Sequence, residues 1–167
     1  GIPLCIANRF CSEIRYNNTN RTYYAIGFAN DALGWEIRNM YFKGCIAPKA
    51  ITTISKATDV LQIFEGFMDF LSWQTLNPSS TCDTIVLNSL ALLPRIQEKI
   101  KSYKQVESFL DNDDAGRKSF EVLKHFCPSI IDGSVRYRTH KDINEWLVAQ
   151  SKVKEKQPLL PTTKRGI

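Results

Sequence analysis

Carboxylates gather at a few places in this chain where they could act together. Phe64-Glu65-Gly66-Phe67-Met68-Asp69 follows a short apolar run, Val60-Leu61-Gln62-Ile63-Phe64, that reads as a strand. Glu65 then sits at the strand tip. Asp69, four residues on, falls on the same side of the first turn of the next helix. Leu110-Asp111-Asn112-Asp113-Asp114-Ala115-Gly116-Arg117 follows another strand-like run. Asp111 and Asp113 are two residues apart, so in extended backbone both side chains leave one face. Lys141-Asp142-Ile143-Asn144 adds a carboxylate and an amide ahead of a last helix. Like charges held side by side repel unless a cation lies between them, and an all-oxygen set suits Mg²⁺ or Mn²⁺. Taken singly, Asp113 or Asp114 can instead cap the helix that follows, as Asp142 can cap its own. Metal chemistry is read from the combination.

The elements that position these groups are legible from pattern. From Thr58 onward, strands and helices alternate. Strands are expected over Val60–Phe64, Thr84–Leu87, Val106–Leu110 and Ile130–Tyr137. Helices are expected over Phe67–Leu76, through Ile96 and Ile100, over Ala115–Phe126 and over Ile143–Val148. Strict alternation predicts a parallel sheet with helices on its faces, and in such sheets active sites form beyond the carboxyl ends of the strands. The earlier stretch reads differently. A helix is expected over Pro3–Ile14, Asn17 to Asn20 reads as a turn, and a β-hairpin is expected from Thr22–Phe28 and Trp35–Phe42. Three segments result: 1–57, helix and hairpin; 58–150, the alternating domain; and 151–167, a basic tail or linker rich in Lys, Pro and Thr.

Composition narrows the function classes. The 167 residues carry a net charge of +5, and 43% of them are hydrophobic. Residues 1–60 hold seven Lys/Arg against four Asp/Glu, 61–150 hold ten against twelve, and 151–167 hold five against one. An acidic middle between basic flanks suits a site that holds metal and draws in a polyanion. Apolar runs are too short to span a bilayer, and no signal peptide is expected, since Asn8, Arg9 and Glu13 interrupt the start. The five cysteines (Cys5, Cys11, Cys45, Cys82, Cys127) form no Cys-x-x-Cys pair and lie apart from His125 and His140, so no zinc site of the usual spacing is present. Free thiols point to the reducing cytoplasm. No Gly-x-Gly-x-x-Gly opens a helix, which argues against a dinucleotide enzyme.

The three acidic stretches resemble the Toprim domain, specifically that of bacterial-type DNA primases. Ala25-Ile26-Gly27-Phe28 and Phe42-Lys43-Gly44 resemble the part of a primase core that precedes it. A topoisomerase-type Toprim domain would carry a third Asp where Ala115 stands, so the Ala115-Gly116 pair leans toward primase. Val86-Leu87-Asn88-Ser89-Leu90 stands where primases usually have a Gly-Thr-type turn. The resemblance implies an α/β chain: a Toprim fold with a four-stranded, mainly parallel sheet flanked by helices, preceded by a small basic α+β segment with a β-hairpin.

The resemblance also implies roles. Glu65, Asp111 and Asp113 would be catalytic and would hold Mg²⁺ or Mn²⁺ with Asp69 and Asp142. Arg38, Lys43, Lys49, Arg117, Lys141 and Asn144 would contact nucleotide or nucleic acid. In primases of this type a primer 3′-hydroxyl attacks the α-phosphorus of a ribonucleoside triphosphate on a single-stranded DNA template. The implied partners are therefore that template, ribonucleoside triphosphates and, through regions outside these residues, a replicative helicase. No membrane is involved. The chain also resembles compact primase-like Toprim proteins of bacterial mobile elements, so it would be the Toprim part of a larger replication or mobilisation protein. Two alternatives stay open: a Toprim-type metal-dependent nuclease, and a nucleic-acid-binding module without catalysis of its own.

Overall fold

The computed structural model describes residues 1–18 and 20–156. An antiparallel sheet comes first. Helix α1 (Leu4–Phe10) leads into β1 (Ser12–Asn18), β2 (Arg21–Ala29), β3 (Trp35–Arg38) and β4 (Lys43–Ile46), which lie in the order β1-β2-β3-β4. Two expectations change here. The first helix stops at Phe10 instead of Ile14, and Pro3 stands at its N-cap with extended backbone. Residues 12–18 instead pair with β2, from Ser12 opposite Gly27 to Asn18 opposite Arg21. Ile14 and Tyr16 alternate with polar neighbours, and once a partner strand is present that period of two overrides helical spacing. Trp35–Phe42, read as one strand, contains a turn. Asn39 Oδ1 accepts from the backbone N–H groups of Tyr41 (2.9 Å) and Phe42 (3.0 Å), which bends the chain and starts β4.

The second sheet contains β5 (Thr52–Ile54), β6 (Val60–Phe64), β7 (Asp83–Val86), β8 (Gln105–Phe109) and β9 (Ile131–Asp132), in the order β5-β7-β6-β8-β9. The β6–β7, β6–β8 and β8–β9 pairs are parallel. The four expected strands are there, and β5 joins them as a fifth, antiparallel to β7. Helices α2 (Phe67–Leu76), α3 (Gln97–Ile100, after a 3₁₀ stretch over Leu90–Ile96), α4 (Asp114–Phe126) and α5 (Ile143–Lys156) complete the domain.

The strand expected over Ile130–Tyr137 is cut to two residues. Asp132 Oδ1 accepts from Ser134 N–H at 2.9 Å and opens a 3₁₀ turn over Gly133–Tyr137. Helix α5 outruns its expected end at Val148, so residues 151–156 of the segment read as a tail are helical. The rest of that tail, 157–167, lies outside the described residues.

The sheet is buried on both faces, and its central strands are buried along nearly their whole length, including the polar Gln62, Asp83, Thr84, Glu107 and Ser108. One face places Leu61, Ile63, Ile85 and Val106 against Ile96, Ile100 and Leu123. The other places Phe64, Val86 and Phe109 against Phe67, Phe70, Trp73, Tyr137 and Ile143. Phe28 of β2 joins this second cluster, stacked on Phe67 with centroids 5.4 Å apart and planes 9° from parallel. Burying a side chain of that size is worth about 2 kcal/mol. It ties the antiparallel sheet to α2, immediately beside the tip of β6. Among the described residues no helix is long and apolar enough to cross a membrane.

Candidate active site

The carboxyl ends of the parallel strands bring four carboxylates to one place. Glu65 leaves the end of β6, Asp111 follows β8, Asp69 lies in the first turn of α2, and Asp142 immediately precedes α5. Carboxylate oxygens of Asp69, Asp111 and Asp142 all lie within 4.8 Å of one another. Glu65 Oε2 accepts the Asp111 backbone N–H at 3.2 Å, which places it beside this trio.

Local sequence explains the placement. Gly116 packs in the first turn of α4 so tightly against the preceding loop that a Cβ there would lie 2.0 Å from the Asp111 carbonyl oxygen. Glycine at 116 is therefore required by close approach. Gly66 has ordinary extended backbone (φ −130°), so the turn out of β6 does not need glycine's conformational freedom. Asn112, which the sequence reading passed over, bolts two loops together. Its Nδ2 donates to the carbonyls of Tyr137 and His140, both at 3.0 Å, and its N–H donates to the Lys141 carbonyl at 2.7 Å. Tyr137 Oη donates to the Leu110 carbonyl at 2.8 Å. These bonds hold the Asp111 loop against the Asp142 loop. The only cue to them was Asn112's place between two aspartates.

Electrostatics follow from burial and crowding. Asp69 is 9% exposed, and burial, then the charges of Asp142 and Asp111, push its carboxyl up to about 8. The Asn144 N–H, 3.4 Å from Asp69 Oδ1, opposes that rise. Glu65 is raised by burial and by the charge of Asp111, against the Asp111 N–H and the Lys43 charge. Asp111 is raised by burial and opposed by Lys141, whose Nζ lies 3.3 Å from Asp111 and 3.8 Å from Asp113. Three oxygen ligands that crowd until one resists ionisation form the donor set a hard divalent cation would satisfy.

The remaining residues singled out in the sequence divide. Asp113 stands at the rim, 42% exposed at its side chain, and accepts from Gly116 N–H at 2.9 Å as the N-cap of α4. Asp142 also caps a helix, accepting from Glu145 N–H at 2.7 Å, while contributing to the carboxylate trio. Asn144 Nδ2 donates to Ser72 Oγ at 2.9 Å, so it braces α5 on α2 beneath Asp69. Arg38 and Lys43 are exposed, sit opposite each other across β3 and β4, and line the gap next to Gly66. Lys49 is committed to the buried Glu36 at 2.7 Å. Arg117 donates to the Asn112 carbonyl at 2.8 Å and pairs with Asp114.

Comparison with known proteins agrees with this architecture. Twelve solved chains match in structure. One is described as the primase fragment of bacteriophage T7 primase-helicase protein, with TM-score 0.60 and 15% identity over 86% of this chain. The present chain spans 65% of that fragment's length. A second comes from a structure of bacteriophage T7 lagging-strand DNA polymerase interacting with primase domains bound to an RNA/DNA hybrid and dTTP. It has TM-score 0.65 and 13% identity, and covers 93% of this chain and 85% of its own. At such identities the likeness shows a shared fold: an α/β Toprim architecture with a mixed, mostly parallel sheet, preceded by an antiparallel one. No curated protein matches in sequence. A family described as a domain of unknown function (DUF8464) matches residues 1–47. The family described as Toprim-like matches residues 62–147, the span from β6 to the middle of α5 that carries all four clustered carboxylates, and this chain belongs to it.

Proposed function

We propose that the chain carries out primase-like, metal-dependent nucleotidyl transfer on single-stranded DNA, within a larger replication or mobilisation protein. The observation that carries this reading is the convergence of Asp69, Asp111 and Asp142, with Glu65 alongside, at the carboxyl ends of parallel strands. Those four residues would hold Mg²⁺ or Mn²⁺, and a bound divalent ion would supply charge stabilisation to a transferring phosphoryl group. The chain's own residues set the stage. Lys141 offsets part of the charge of Asp111 and Asp113, keeping that side of the site from repelling a polyanion. Arg38 and Lys43 face the gap beside the acidic cluster and would guide phosphates toward it. Asn112 holds the Asp111 and Asp142 loops together and Asn144 braces α5 on α2, so the carboxylates need little reorganisation when substrate arrives.

One denaturing gel tests the reading. Labelled single-stranded DNA is incubated with ribonucleotides and Mg²⁺ or Mn²⁺, using native protein and Glu65→Gln side by side. New or extended strands that vanish in a well-folded Glu65→Gln protein are the expected result. Shortened strands that vanish in the variant would place the protein among nucleases instead. Activity retained in full by Glu65→Gln would remove Glu65 from the site.

A further inference from the structure

Strand β1 lies at the outer edge of the antiparallel sheet, and among the described residues no other strand pairs with its free side. Its positions from Ser12 to Asn18 pair with β2 in unbroken register, so no bulge bends the edge away. The strand also holds no proline and no lysine, the residues that commonly block such an edge. Its two charges, Glu13 and Arg15, are opposite in sign and exposed. Neither joins an ion pair among the described residues.

Hairpin geometry fixes which backbone groups point outward. Asn18 stands opposite Arg21, so β1 and β2 are joined by a two-residue connection. The closing pair of such a hairpin exchanges both its hydrogen bonds, and bonded and non-bonded pairs alternate from there. Tyr16, Ile14 and Ser12 therefore bond inward to β2. Glu13 and Arg15, lying between them, turn N–H and C=O to the free side. Their side chains leave the face of Ile26 and Tyr24, and the Arg15 guanidinium lies 6.0 Å from the Tyr24 ring centroid. Ile14 and Tyr16 leave the other face, with Ala25 and Tyr23.

A strand added at this edge must match both the outward hydrogen bonds and the two charges, and β1 of a second copy does. Antiparallel self-pairing centred on Glu13 or on Arg15 would set like charges opposite each other, and centring on Tyr16 would set Arg15 against the neutral Asn17. Centring on Ile14 sets Glu13 opposite Arg15 of the second copy twice over, each pair closed by two backbone hydrogen bonds. Ile14 then meets its own counterpart, and Ser12 meets Tyr16. We propose that β1 pairs with β1 of a second copy, antiparallel about a two-fold axis through Ile14, so that the four strands of each chain form one continuous sheet. Each chain gives the same patch, as a closed two-fold interface requires. Arg38 on β3 and Lys43 on β4 lie at least two strands from the joint, so the pairing does not depend on the nucleotidyl-transfer reading.

Sedimentation equilibrium of the full 167-residue chain measures the association. Native protein is expected to show a monomer–dimer equilibrium. Glu13→Arg or Arg15→Glu alone is expected to weaken it on the order of tenfold, since each substitution alters two symmetry-related pairs. The two substitutions together exchange the charges and are expected to restore native association. In native protein, hydrogen exchange at the Glu13 and Arg15 amides is expected to slow as concentration rises and the dimer fills. A native chain that stays monomeric up to about 1 mM overturns the inference. So does a dimer that ignores the single substitutions, or one that the double substitution fails to restore. Exchange at those two amides that is independent of concentration overturns it as well and places any dimer contact elsewhere.

Discussion

Replacing Asp69 by Asn separates what the acidic cluster costs the fold from what it gives the chemistry. Folded, the Asp69 carboxyl holds its proton up to about pH 8 because it is buried beside Asp142 and Asp111, whereas an ordinary Asp loses it near 3.8. Between those values the folded state binds a proton that the unfolded chain has released. Stability of the metal-free protein therefore falls as pH rises from about 4 to about 8 and levels off above that. Across the interval from 3.8 to pH 7 the full effect is about 4 kcal/mol, at about 1.4 kcal/mol for each unit of pH. Relaxation of the neighbouring side chains reduces it, so Asp69→Asn should stabilise the metal-free protein by about 1–4 kcal/mol near pH 7. The Asn oxygen can still accept the Asn144 N–H. Glu65 and Asp111, also raised, keep a weaker slope of the same sign in the variant. The assay is urea unfolding at pH 5, 7 and 8 in chelator, repeated with Mg²⁺ or Mn²⁺. Native protein should lose stability from pH 5 to pH 8 in chelator and regain it with metal, while the variant changes little in either comparison. Parallel pH profiles for the two proteins, or an Asn variant less stable at pH 8, would refute the reasoning.

Two further outcomes follow from packing. Gly116→Ala puts a methyl group 2.0 Å from the Asp111 carbonyl oxygen, so α4 or the Asp111 loop must move. A loss of at least about 2 kcal/mol is expected by urea unfolding, together with a weaker response to added metal. Arg136 pairs with the buried Glu107 and lies over the rings of Trp73 and Phe109, 5.6 and 5.5 Å from their centroids. Arg136→Ala should cost about 2–4 kcal/mol by leaving Glu107 unpaired, and adding Glu107→Gln should recover part of that loss in a double-mutant cycle.

The alternating half of the molecule was legible because its signals are local. Val60–Phe64 and the runs near Ile85 and Val106 each hold apolar residues that face both sides of the sheet, and the first and third lead directly into helices of readable length. The first segment was less legible because its elements depend on partners. Ser12–Asn18 is a strand only since Arg21–Ala29 lies beside it, and β5 is too short to announce itself without β7. Ile130–Tyr137 has strand-like composition, yet the Asp132 cap turns it after two paired residues.

The candidate site shows the same division. Residue type and spacing in the sequence determined that Glu65, Asp69, Asp111, Asp113 and Asp142 would collect at strand ends, because alternation sets which end of the sheet each loop occupies. Only the tertiary structure decided that Asp142 joins Asp69 and Asp111 within 4.8 Å while Asp113 turns to cap α4. It also decided that Lys49 serves Glu36 and that Asn144 braces α5 on α2 beneath Asp69. Spacing along a chain fixes which side of its own strand or helix a side chain leaves. Distances between loops are set by how elements pack, here by Phe28 on Phe67 and by Asn112 bridging two loops, and no single segment encodes those contacts.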